Sequence, residues 1–301
     1  KYGSCDGIAI RSIRFRPSAR TVRRRRDLWW RLQSNRDAGS MCLSPGVAHL
    51  LASDESPAWT VDNPHGTGHA VVVCDHATNR IPRRLNWLGL GAATLASHIA
   101  WDPGALQVAH RLAQLLDATL VASGYSRLVI DCNRPLGSDE LIAASSAGVV
   151  IPGNQGIDAR QRQLRISELF APYHRAIADV LDHRAAAGRP SLILSIHSFT
   201  PVLNGDRRPW EVGFAYGSDS RLALRLIEVA QTGGQHVIGH NQPYSVETAY
   251  DHTVPVHGEQ RGLPHVLVEI RQDLLTTTGA CAAWAAWLAA VYQESEPPFV
   301  A

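Results

Sequence analysis

The chain has 301 residues, 45% of them hydrophobic, and a formal net charge of +2, which is ample apolar content for a buried core. Eleven of the 29 Lys/Arg but only three of the 27 Asp/Glu fall in residues 1–40, leaving 18 basic against 24 acidic groups in the rest, so a basic face for nucleic acid is excluded from the folded part. The five scattered cysteines form no Cys-x-x-Cys pair, and no run approaches the roughly 18 apolar residues of a membrane-spanning helix, which excludes a disulfide scaffold, a cysteine-rich zinc site and a membrane span.

Residues 1–60 show no steady period. Arg23-Arg24-Arg25-Arg26 precedes Trp29-Trp30, and Met41 is the only methionine. A basic, disordered leader is expected over 1–60, with the natural start at Met41, and a single catalytic domain over 61–301. The competing reading of the leader is an arginine-rich arm for RNA or an anionic membrane, which nothing else in the chain supports. No apolar core follows the arginines, as a secretory signal requires, so a cytoplasmic protein is expected.

From Ala70 onward, strands alternate with helices. Strands are expected over 70–75, 119–122, 127–131, 192–197, 211–216, 236–239 and 264–270. Helices are expected over 104–116, where Leu106, Val108, Ala109, Leu112 and Leu115 form one stripe, over 160–187, and over 278–293. This alternation predicts an α/β fold, a mostly parallel sheet flanked by helices. The polar stretches 137–156, 207–210 and 240–262 are expected loops, the first long enough for a lid.

Three of the strands end in ionisable groups. Leu192–Ile196 runs into His197 and Ser198, Val71–Cys74 into Asp75 and His76, and Val266–Val268 into Glu269, Ile270 and Arg271. In open α/β sheets the carboxyl ends of strands face the ligand crevice, so two histidines and a glutamate there match the parts of a metal-dependent hydrolase. His76 can present a ring nitrogen to a metal, with Asp75 as the acceptor that fixes its tautomer. Asp102, before Pro103 and Gly104, reads either as a third ligand or as a helix N-cap. Arg134 offers a fork for a carboxylate or an oxyanion, or else an ion pair with Asp131. Glu269 is costly to bury unless it works or is paired, with Arg271 and Arg134 as the candidate partners. His257 lies in a stretch, Asp251 to Glu259, dense in titratable groups and expected to wall the site.

At these residues the sequence resembles the N-formylglutamate amidohydrolase family. The resemblance spans about 67–293, through Cys74-Asp75-His76-Ala77, Trp101-Asp102-Pro103-Gly104-Ala105, Asp131-Cys132-Asn133-Arg134-Pro135, Ser195-Ile196-His197-Ser198-Phe199, His257-Gly258-Glu259 and Val268-Glu269-Ile270-Arg271. It implies a phosphorylase/hydrolase-like, zinc carboxypeptidase-like three-layer sandwich. It also implies zinc, or another divalent metal, one per chain, with His76 and His197 as ligands and Glu269 as the catalytic carboxylate. The carboxypeptidase pattern His-x-x-Glu is broken here by Asn79. By likeness to muramoyl-alanine amidases the third ligand is then Asp102, with Asp131 as second choice. Arg134 is expected to stabilise the oxyanion and, with Asn133, Ser198, His257 and Arg271, to bind substrate. The implied reaction is hydrolysis of the amide of N-formyl-L-glutamate, or a related N-acyl amino acid, to formate and L-glutamate. The alternatives are an amidase for a peptidoglycan-like or other acyl-amino-acid amide, and a metal-free carboxylate-binding protein. The expected partner is a small-molecule substrate, with neither nucleic acid nor membrane.

Overall fold

The central strands are buried along their whole length, their side chains alternating between two apolar faces that each have their own helices. The computed structural model describes residues 49–300. Seven strands, β1 (Trp59–Asp62), β2 (Ala70–Cys74), β3 (Thr119–Ser123), β4 (Leu192–Phe199), β5 (Val212–Ala215), β6 (Ile238–His240) and β7 (His265–Arg271), form one sheet in the order β1-β3-β2-β4-β7-β5-β6. The β1/β3 and β7/β5 pairs are antiparallel and the other four are parallel. The α-helices of five residues or more are α1 (Ala105–Leu115), α2 (Ala159–Arg165), α3 (Ala171–Ala186), α4 (Arg221–Gly233), α5 (Thr253–His257) and α6 (Thr278–Ser295).

Side chains of a strand alternate between faces, so Leu192, Leu194 and Ile196 of β4 and Val266, Val268 and Ile270 of β7 join one core with α1, α4 and α6. Val71, Val73, Val121 and Ile193 pack on the other face against Tyr173, Ile177 and Leu181 of α3. The result is the three-layer α/β sandwich expected. A separate core of Leu128, Val129, Ile130, Leu141, Ile151 and Phe170 is built largely from the segment that joins β3 to α3.

Three local expectations are corrected. Residues 127–131 are not a strand: both edges of β3 are taken by β1 and β2, and the run instead turns, Val129 N donating to Ser126 O at 2.9 Å, and sinks into the separate core. The helix expected over 160–187 is formed from Ala159 to Ala186, but its ladder is not regular: a π turn, Ile166–Phe170, joins α2 to α3 just before Pro172, whose missing N–H disturbs the bonding there. The boundary expected at residue 61 falls inside β1, and the folded part reaches back to Leu50 and Leu51, whose backbone N–H groups donate to Glu168 at 3.0 and 3.1 Å. The remainder of the expected leader, with the start at Met41, lies outside the described residues. No described helix is long and apolar enough to cross a membrane.

Gly104, the residue before α1, has φ +83°, and a Cβ there would meet Leu275 Cβ at 2.4 Å. Strain of this kind typically costs on the order of 1–3 kcal/mol before any clash is counted. Gly104→Ala is therefore expected to lower the melting temperature by several degrees, read by thermal denaturation.

Candidate metal centre

Glu269 stands beside His197 in the parallel β7/β4 register. Because their neighbours Ile196 and Val268 face the α1 side, His197 and Glu269 point together to the α3 side. His76 leaves β2 in a turn, and its carbonyl accepts from Asp102 N at 3.0 Å, which draws the 97–104 segment alongside. Ser198 secures that segment from β4, donating from its backbone N to Asp102 Oδ2 at 3.3 Å and from its hydroxyl to Pro103 O at 2.8 Å.

These ties bring His76, Asp102 and His197 together, buried, with one ligand atom of each within 4.8 Å of the others. Asp102 Oδ2 lies 2.8 Å from His197 Nδ1 and 3.3 Å from His76 Nδ1. Asp102 is not a helix cap, since α1 starts from Gly104 without a side-chain cap.

The outer ring nitrogens are held by two further carboxylates. His76 Nε2 is 2.7 Å from Asp131 Oδ1, and His197 Nε2 is 3.1 Å from Asp75 Oδ2. The expected Asp75–His76 pairing is thus corrected: Asp75 holds His197, Asp131 holds His76, and Asp131 stands on the side of the imidazole away from Asp102. Asp75 is itself fixed by Tyr173 OH at 2.8 Å, Thr253 Oγ1 at 2.6 Å and Ser195 Oγ at 3.2 Å. Carboxylates in this position orient imidazole ligands and raise their basicity.

Arg127 completes the cluster, donating to Asp131 Oδ2 from Nε at 3.0 Å and Nη2 at 2.7 Å, with Nη1 3.6 Å from Asp102 Oδ1. Three buried carboxylates, Asp75, Asp102 and Asp131, face one guanidinium, so two units of positive charge are still needed. Either two imidazolium protons or one divalent cation supplies them, and a donor set of two imidazoles and one carboxylate suits zinc. Burial pulls the His197 imidazole down, but its bonds to Asp102 and Asp75 win and raise it well above the ordinary range. Burial likewise pushes Asp102 up, yet the two imidazoles hold it far below the usual carboxylate range. Replacing Arg127 with Met leaves Asp131 and Asp102 short of counter-charge in a buried setting. A loss of about 3 kcal/mol in unfolding free energy is expected, measured by denaturant titration.

Glu269 is 8% exposed, and its Oε2 is buried without a hydrogen-bond partner among the described residues. Burial pushes its carboxyl up to about 7, Asp102 adding to the rise while His197, His76 and Arg127 oppose it. The structural ion pairs considered for it are not formed: Arg271 Nε takes Asp273 at 2.8 Å, and Arg134 Nε takes Glu140 at 2.9 Å.

The remaining expected residues lie around the centre rather than in it. Arg134 is held by Glu140 and by Tyr250 O at 3.1 Å, so its fork is committed there, and Arg127 is the guanidinium beside the triad. Asn133 shapes the 251–253 turn, its Oδ1 accepting from His252 N and Thr253 N, both at 3.1 Å, which delivers Thr253 to Asp75. His257 is buried against His174, its Nε2 3.1 Å from His174 Nδ1, and burial drives it well below the ordinary range, to a neutral ring. Arg271 Nη1 binds the carbonyls of Arg208, Pro209 and Trp210 at 3.4, 3.2 and 3.3 Å. Sequence reasoning missed Arg127, Tyr173 and Thr253. Arg127 carried a usable signal, a cation four residues before Asp131 at the head of an apolar run.

The sequence profile of the family described as N-formylglutamate amidohydrolase matches residues 68–276. That span takes in every residue of the centre. The chain belongs to this family. An N-formylglutamate deformylase of Pseudomonas aeruginosa is 32% identical over 144 residues, 42% of this chain and 54% of the relative, so the chain spans about half the length of that curated relative. The crystal structure of a gene product from Agrobacterium tumefaciens is 39% identical, with a TM-score of 0.80 over 82% of this chain and 98% of that one. An N-formylglutamate amidohydrolase from Ralstonia eutropha JMP134 shares the fold at 16% identity, with a TM-score of 0.57 over 80% of this chain and 98% of that one.

Proposed function

We propose that this chain is a zinc-dependent amidohydrolase that cleaves N-formyl-L-glutamate, or a related N-acyl amino acid, to formate and the free amino acid. The observation that carries the reading is the unpartnered carboxylate of Glu269 beside a buried His76–Asp102–His197 set in a member of this family. His76 and His197 would hold the metal through Nδ1 and Asp102 through its carboxylate. A divalent cation there supplies a Lewis acid that polarises the amide carbonyl and lowers the pKa of water.

Glu269 does the proton work. With its carboxyl held near neutrality it takes a proton from the attacking water and returns it to the amide nitrogen as the C–N bond breaks. Arg127, already oriented by Asp131, sits beside Asp102 and offsets negative charge at the centre. The free, buried Cys74, Cys132 and Cys281 support a reducing, cytoplasmic setting.

The test is formate release by purified protein across a panel of N-acyl amino acids that includes N-formyl-L-glutamate. Turnover of N-formyl-L-glutamate well above the rest supports the reading. Preference for a peptidoglycan-like amide moves the substrate, and absence of any amidase activity in metal-loaded protein rejects the function.

A further inference from the structure

Among the buried arginines, Arg208 has no evident structural employment. Arg165 binds Val129 O, Gly153 O and Asn154 Oδ1, and Arg184 binds Gly66 O, Gly68 O, Pro190 O and Ser191 Oγ; the half-buried Arg127 is paired with carboxylates. Arg208 is 9% exposed, yet its guanidinium makes one long hydrogen bond, Nη1 to Thr200 O at 3.5 Å, touches the Tyr244 phenol, and has no carboxylate partner among the described residues. Its Cζ lies over two rings, 5.7 Å from the centre of Phe199 and 4.9 Å from that of Tyr244. A desolvated cation stacked in this way and left without a counter-ion is what an anion site requires.

The setting places it at the edge of the metal centre. Phe199 follows His197 by two residues on β4 and so shares its face, a step of about 7 Å along the strand. The loop carrying Arg208 is fastened to the end of β7, two residues past Glu269, by the three bonds from Arg271 to the carbonyls of residues 208–210. The phenol of Tyr244, raised chiefly by burial, feels Glu269, Arg208 and Arg127 together, and His98, lowered chiefly by burial, feels Arg127, Arg208 and Asp102.

We propose that Arg208 determines specificity by binding the distal, side-chain carboxylate of the amino acid released, which restricts the enzyme to N-acyl derivatives of glutamate-like dicarboxylic acids. This rests on the amidohydrolase reading above. In an N-formyl glutamate five bonds separate the formyl carbon from the distal carboxyl carbon, at most ~7.5 Å at about 1.5 Å per bond, against three for the α-carboxylate, so the distal group is the one that can reach along β4 from His197 toward Phe199, against whose ring Arg208 lies. Arg271 acts here as a positioning residue, holding the loop rather than the substrate.

The experiment compares N-formyl-L-glutamate with N-formyl-L-glutamine, which differ in the charge of the distal group, in zinc-loaded wild type and Arg208→Gln, with calorimetric binding of L-glutamate to the same proteins as a second readout. The wild type is expected to favour the glutamate compound by about 10²-fold in kcat/KM, the size of a charge-assisted pair. Arg208→Gln is expected to bring that ratio near unity, mainly through KM, and to abolish measurable L-glutamate binding. An unchanged ratio, or an equal fall for both substrates, overturns the proposal. If Arg208→Gln does not fold, Arg208→Lys decides, since it keeps the charge but loses the planar fork: a several-fold lower ratio supports the assignment and an unchanged one overturns it. A wild type that releases formate from neither compound refutes the amidohydrolase reading instead.

Discussion

Glu269→Gln is expected to leave the fold and the metal content intact while turnover of N-formyl-L-glutamate falls by at least about 10²–10⁴-fold, roughly 3–5 kcal/mol of barrier. The amide keeps the volume of the side chain but cannot accept and return a proton. Stability should not suffer, because Oε2 of Glu269 has no hydrogen bond to lose, and Arg271 and Arg134 take their carboxylates elsewhere. Removing a carboxyl that burial already disfavours can raise the melting temperature slightly. KM should change far less than kcat. Melting temperature, zinc content and turnover measured on one preparation separate these outcomes; a metal-loaded variant with normal turnover would remove Glu269 from the mechanism.

His197→Ala is expected to have the other largest effect, abolishing both metal retention and activity. The imidazole supplies Nδ1 to the cluster and its Nε2 partners Asp75, so the substitution deletes a donor and leaves two carboxylates, Asp75 and Asp102, without their shared neighbour. Loss of one of three protein donors removes much of the affinity of a zinc site. His76→Ala should behave alike, leaving Asp131 with Arg127 and the backbone N–H of Asn133. Metal analysis of dialysed protein checks both. Retention of one zinc per chain by either variant, with near-normal turnover, would mean that the ligands are elsewhere.

The centre was legible where an apolar run stops at an ionisable group. His76, His197 and Glu269 each sit at such a strand end, and burial makes a charged group there too costly to be casual. The sequence left Asp102 divided between a cap and a ligand; in the structure Gly104 takes the cap position, and Ser198 N reaches the Asp102 carboxylate from β4. Pairings across the sheet were not legible at all. Asp75 was expected at His76, and Asp131 only as a second-choice ligand or a partner of Arg134; which carboxylate meets which imidazole depends on strand order, with β2 lying between β3 and β4.

The same limit explains the arginines. Arg127 and Arg134 flank Asp131 at similar separations along the chain, yet the turn at 126–129 sends one into the centre and the other toward Glu140. Arg208 carried no signal in its own neighbourhood, since its role depends on rings from Phe199 and Tyr244 that are brought to it by folding. In the fold, β1 was too short and too evenly half-buried to show a period of two. The strand expected at 127–131 failed for the reverse reason, an apolar run serving a core without a sheet edge to join.

Chelation and reconstitution test the central claim most directly. Purified protein should contain one zinc per chain and release formate from N-formyl-L-glutamate, lose that activity when the metal is stripped, and regain it in proportion to zinc added back, with saturation at one equivalent. Full formate release by protein shown by elemental analysis to carry no metal would contradict the account.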